Sequence, residues 1–109
     1  MTPDRRHLVM FVKAPRLGLV KTRLARDIGA VAAWAFYRRA LDGLARRMAG
    51  DGRWRCWLAV TPDASLWNGQ RWPAGCDLIS QGTGDLGRRM ARVAEVLPPG
   101  PVDIVGADI

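Results

Sequence analysis

The chain has 109 residues, of which 49% are apolar, with seventeen Lys and Arg against ten Asp and Glu. That composition suits one globular domain over residues 1–109 and argues against a disordered chain. No apolar run approaches the ~20 residues needed to cross a bilayer, and the apolar stretch near the start is too short for a secretory signal, so a cytoplasmic protein with no membrane partner is expected. Cys56 and Cys76 form no CxxC pair, which argues against both a disulfide framework and a zinc site. The net charge of +7 asks for anionic partners: nucleic acid, nucleotides or phosphates. Much of that charge sits in pairs such as Arg38-Arg39 and Arg46-Arg47, the pattern of a solvated helix face.

Residues 7–12 (HLVMFV) form a continuous apolar run of strand length, as a strand covered on both faces requires. A loop with Pro15 and Gly18 follows, and Thr22 is placed to cap a short helix that ends at Gly29. Residues 30–48 read as a helix, with Trp34, Tyr37, Leu41, Leu44 and Met48 on one side and Arg38, Arg39, Asp42, Arg46 and Arg47 on the other. Residues 53–60 predict a second strand and residues 64–75 a loop with a helical turn near Trp67. A third strand is expected over 76–80. Asp85 would then cap a helix to Leu97 with Leu86, Met90, Val93 and Leu97 inward, and a fourth strand covers 102–105. Strands alternating with helices imply an α/β fold with a mainly parallel sheet and flanking helices, a Rossmann-like arrangement. Ligands of such sheets bind beyond the carboxyl ends of the strands, which singles out the segments that follow each strand.

The first of these carries four cations, Lys13, Arg16, Lys21 and Arg23, around Pro15 and Gly18. It is not a P-loop, because Val20 stands where the glycine before the lysine must be. A cationic loop opening onto a helix start is still a general anion site, and a solvated basic loop would look similar. After the third strand come Gly82 and Gly84, which allow close backbone approach, and Asp85, whose role is fully explained by helix capping. Gly87 costs its helix ~1 kcal/mol unless a neighbouring element or a ligand needs the room. After the fourth strand stands Asp108, placed to hold Mg²⁺ or Mn²⁺ beside a pyrophosphate. His7, at the start of a strand, is expected to pack or cap an edge, and the five Trp to pack in the core and at edges.

Three segments together, Lys13-Ala-Pro-x-x-Gly-x-Val-Lys-Thr-Arg-Leu24, Gln81-Gly-x-Gly-Asp-Leu-Gly-x-Arg-Met90 and Val105-Gly-x-Asp108, resemble the motifs of the bacterial glycosyltransferase-like proteins described as radical-SAM/selenodomain-associated transferases. That family is similar to the glycosyltransferase-A, or nucleotide-diphospho-sugar transferase, fold. The resemblance implies that Lys13, Arg16, Lys21 and Arg23 meet a nucleotide or nucleotide-sugar, chiefly its phosphates. It also implies that Gly82, Gly84 and Asp85 lie along the nucleotide and that Asp108 is the carboxylate for a divalent metal. Members run to about twice this length, as α/β domains of ~200 residues do. The sequence is therefore expected to be the nucleotide-binding half of a larger transferase domain, inactive by itself and prone to homo-oligomerise through exposed sheet edges. Two alternatives remain. One is a nucleotidyltransferase of the molybdopterin or phospholactate type, on the same fold. The other is a basic nucleic-acid-binding module, the least favoured because its arginines come without an aromatic platform.

Overall fold

The first apolar run folds as strand β1, Arg6–Lys13, in a computed structural model that describes residues 6–15, 20 and 22–106. Helices α1 (Thr22–Ile28) and α2 (Ala30–Ala49) follow, then β2 (Trp54–Thr61) and a 3₁₀ turn over Asp63–Leu66. Strand β3 (Asp77–Ser80), helix α3 (Leu86–Val96) and strand β4 (Val102–Gly106) complete the described elements. The strands are all parallel, in the order β3-β2-β1-β4. The order reverses direction at β1, so the crevice beside β1 and β4 is the switch point where this architecture binds ligands.

The period-two geometry of a strand divides the apolar runs between two cores. Met10 and Val12 of β1 and Leu58 and Val60 of β2 face α2, where they pack with Tyr37 and Leu41. The alternate residues Val9, Trp57 and Ala59 face α3 and meet Val93 and Leu97, with Ile79, Val102 and Ile104 beside them. Both faces of the central strands are thus dry, which is why their sequences are continuously apolar rather than alternating. At the two edges of the sheet Leu78 and Val105 are exposed.

The amino edge of the sheet is closed by local pairing. His7 is buried; its Nδ1 accepts the Trp57 indole N–H at 3.1 Å, and its Nε2 donates to the Pro99 carbonyl at 3.3 Å. Arg6 pairs with Asp103 at 3.7 Å, Arg55 with Asp77 at 3.0 Å and Arg53 with Asp51 at 2.7 Å. Hydrogen bonds from Arg53 hold the Asp51 carboxyl down at about 2. Cys56 and Cys76 lie under successive turns of α2, Cys56 donating to the Met48 carbonyl at 2.9 Å. Burial, with smaller contributions from Cys56 and Asp77, pushes the Cys76 thiol up to about 11.

Three local expectations change. Thr22 lies inside α1 as its first residue instead of standing before it as a cap. Leu86, expected to point inward, is 53% exposed in the first turn of α3, and of the four residues expected inward only Val93 and Leu97 are buried. Trp67 is 72% exposed rather than packed, since the turn forms one step earlier, over Asp63–Leu66.

Candidate functional site

The carboxyl ends of the strands bring the segments singled out in the sequence to one edge. Lys13 is level with Thr61, Val60 with Ser80, and Phe11 with Gly106. Lys13 exposes its side chain while its main chain is clamped. The Tyr37 hydroxyl donates to the Lys13 carbonyl at 2.6 Å and accepts from the Lys13 N–H at 3.2 Å. Burial pushes the Tyr37 phenol above its ordinary value, against the smaller opposite effect of the Lys13 hydrogen bond. Two residues on, the Pro15 carbonyl accepts the Trp34 indole N–H at 2.9 Å. The spacing of Trp34 and Tyr37 on α2 therefore does more than fill a core, because both polar tips hold the root of the cationic loop. Arg23 is exposed on α1. Arg16, Lys21 and Asp108 lie outside the described residues.

Beyond β3 the chain builds a second arrangement that sequence reasoning undervalued. Gln81 is buried, and its amide N–H groups donate to the Val12 carbonyl at 3.1 Å and the Ala59 carbonyl at 2.8 Å. Its Oε1 accepts from Arg89 at 2.6 Å, so the amide has a fixed orientation and ties β1, β2 and α3 together at the carboxyl edge. Arg92 donates to the Gln81 carbonyl at 3.2 Å. Gly82 is required there: its φ is +76°, and a Cβ would fall 1.8 Å from the Arg92 guanidinium. The Asp63 carboxylate, just after β2, accepts from the Ser80 hydroxyl and from the Gly82 N–H, the latter at 3.2 Å. The Arg89 Nε–H is buried and has no acceptor among the described residues. The run Gln81-Gly-x-Gly-Asp-Leu-Gly-x-Arg held the signal, since an Arg eight residues after a Gln faces it across one loop and one helical turn.

Asp85 caps α3, accepting from the Arg88 N–H at 2.8 Å. Gly84 lies just before it, with φ +103°. A Cβ on Gly87 would make only an ordinary contact, 3.5 Å from Asp85 Oδ1, so no neighbouring element explains that glycine. None of the described ion pairs is at this edge, and no cluster of three His, Cys, Asp or Glu that could hold a metal occurs among the described residues.

The parallel sheet, its strand order and its two helical layers define an α/β domain of the nucleotide-diphospho-sugar transferase fold. A proposed nucleotide-diphospho-sugar transferase from Desulfovibrio desulfuricans G20 superposes with a TM-score of 0.78 at 24% identity, over 98% of this chain and 48% of that one. The chain thus spans about half the length of that protein. The chain belongs to the DUF2064 family, described as an uncharacterized protein conserved in bacteria, whose profile matches residues 41–109. No curated protein matches it. No described helix is long and apolar enough to cross a membrane.

Proposed function

We propose that the chain is the nucleotide-binding half of a glycosyltransferase-like protein. It takes a nucleoside-diphosphate donor at the carboxyl edge of the sheet. The observation that carries this reading is the charge at that edge. Lys13 sits on a clamped main chain, and Arg89 and Arg92 bond only to Gln81, with no described carboxylate paired to any of them. Unpaired cations on fixed supports at the carboxyl ends of parallel strands suit the phosphates of a nucleotide, whose charge they offset most effectively where water is excluded.

In this reading Arg16, Lys21 and Arg23 extend the cationic loop around the diphosphate. Gly82, Gly84 and Asp85 border the nucleotide, Asp85 through the helix start that it caps. Asp108, two residues beyond Gly106, is the metal carboxylate. A single carboxylate and diphosphate oxygens form an all-oxygen donor set, which fits Mg²⁺ or Mn²⁺, ions that keep several waters and need few protein ligands. Such an ion would supply charge neutralisation on the leaving diphosphate. Leu78 and Val105, exposed on the edge strands, support self-association; light scattering that returns a monomer at micromolar concentration would count against it.

Calorimetric titration with nucleoside diphosphates, with and without Mn²⁺, tests the reading. Metal-dependent binding that is lost in Asp108→Ala is expected, and no response to any nucleotide sinks it. A nucleoside triphosphate bound in preference to a diphosphate-sugar would move the assignment to a nucleotidyltransferase on the same fold.

A further inference from the structure

A cavity of about 520 Å³ runs between α2 and the segment that leads into β3, and Pro15, at the root of the cationic loop, closes one end of its lining. Its volume is in the range that holds a small organic ligand. One wall carries Arg38, Asp42 and Arg46 from α2, and the other carries Arg71, Trp72 and Pro73. Leu41, buried beneath, gives an apolar floor.

The walls are held in place before any ligand arrives. The Trp72 indole donates to the Ser65 carbonyl at 3.0 Å, and the Arg38 guanidinium lies over the Trp34 ring, 4.8 Å from its centre. Gly75, with φ +93°, lets the far wall close on the end of α2, where a Cβ would come 2.9 Å from that of Ala49. Fixed walls reduce the ordering cost of binding.

The charges in the cavity do not neutralise one another. Three guanidinium groups face it against one carboxylate, and Asp42 forms no described ion pair with Arg38 or Arg46, although each is one helical turn away. Arg46 and Arg71 have no acidic partner among the described residues. Planar guanidinium forks match phosphate oxygens in pairs, which makes Arg the better residue for gripping this anion. The Asp42 carboxylate is an acceptor only, so it calls for hydroxyl donors on the same ligand. Trp72 and Pro73 offer flat apolar surface to the body that carries them.

We propose that this groove binds a sugar phosphate, with the phosphate on Arg46 and Arg71, hydroxyls on Asp42 and the carbon skeleton against Trp72. The groove abuts the root of the cationic loop through Pro15, but the groups that would hold this ligand are not those of the donor reading and the assignment does not depend on it. Calorimetric titration of the full chain with glucose 6-phosphate at low ionic strength tests it, with glucose and inorganic phosphate as comparison ligands. Saturable binding with a Kd of about 1 mM or tighter is expected. Affinity should fall at least ~10-fold in the double variant Arg46→Gln/Arg71→Gln. It should be unchanged in Arg39→Gln/Arg47→Gln, which removes the same charge from residues outside the groove. Ala74→Trp, on the rim, should block binding without altering charge. Asp42→Asn should weaken glucose 6-phosphate relative to inorganic phosphate, which loses a repelling carboxylate and no hydroxyl acceptor. Arg46 and Arg71 are exposed, so an unchanged melting temperature will show that their variants fold. Absence of saturable binding, equal loss in the Arg39/Arg47 pair, or inorganic phosphate binding as tightly as glucose 6-phosphate would overturn the assignment.

Discussion

The two ends of the sheet treat charge in opposite ways. At the amino edge every described ion pair is made: Arg6 with Asp103, Arg53 with Asp51, Arg55 with Asp77. Arg6 and Arg55 also lie over the rings of Trp54 and Trp57 at 4.8 and 4.3 Å. At the carboxyl edge Lys13, Arg89 and Arg92 have no described carboxylate, and the Asp63 carboxylate is committed to Ser80 and Gly82. A protein with a surplus of cations could have spread it evenly. Here the cations of one edge are paired and those of the other are not, and the unpaired edge is the one where a parallel sheet receives its ligands. Net charge alone therefore says little about partner, whereas the position of the uncompensated part says a good deal.

Substitutions should separate the edges. The largest effect belongs to His7→Ala, which empties a buried site and orphans the Trp57 indole N–H and the Pro99 carbonyl. A loss of ~3 kcal/mol in urea unfolding is expected, with nucleotide affinity unaltered. Gln81→Ala comes next, leaving the Val12 and Ala59 carbonyls without its amide and releasing Arg89. About 2 kcal/mol of stability should go, and in contrast to His7 the nucleotide affinity should fall with it. Tyr37→Phe keeps the ring and removes the clamp on Lys13. It should cost ~1 kcal/mol and weaken nucleotide binding several-fold, a change that a purely core role for Tyr37 would not produce. The smallest effect is at the exposed Asp51. Its folded value of about 2 lies below the usual 3.8, so its contribution is present above 3.8 and disappears as pH falls toward 2. Asp51→Asn should lower the neutral-pH urea midpoint only slightly, leave the acid end unchanged and so flatten the acid limb of the stability profile.

Sequence legibility followed the same division. Strands β1 and β2 were readable because both faces of their central residues are buried, so each carries an apolar run, 7–12 and 56–60, followed within three residues by Pro15 or Pro62. Asp85 was readable because helix capping is a local interaction between a side chain and the N–H three residues on. The 3₁₀ turn and the exposure of Trp67 were not, since Asn68-Gly69 and Pro73 mark a loop without fixing its path. Of the site, Lys13, Gly82, Gly84 and Asp85 follow from placement after strands, and the strand ends that lead into them lie at one edge. The roles of Gln81, Arg89 and Arg92 were hidden. A buried amide reaching across two strands is a tertiary fact, and the arginines that brace it look like ordinary helix surface in the sequence.

Amide chemical-shift mapping during titration with a nucleoside diphosphate and Mg²⁺ tests the contrast between the edges most directly. Perturbations should concentrate at Lys13, Arg23, Gly82, Gly84, Gly106 and Asp108 and leave Arg6, Arg53, Arg55 and Val102 unmoved. Saturating shifts confined to the amino edge, or no saturating shifts at all, would contradict the assignment of the carboxyl edge as the nucleotide site.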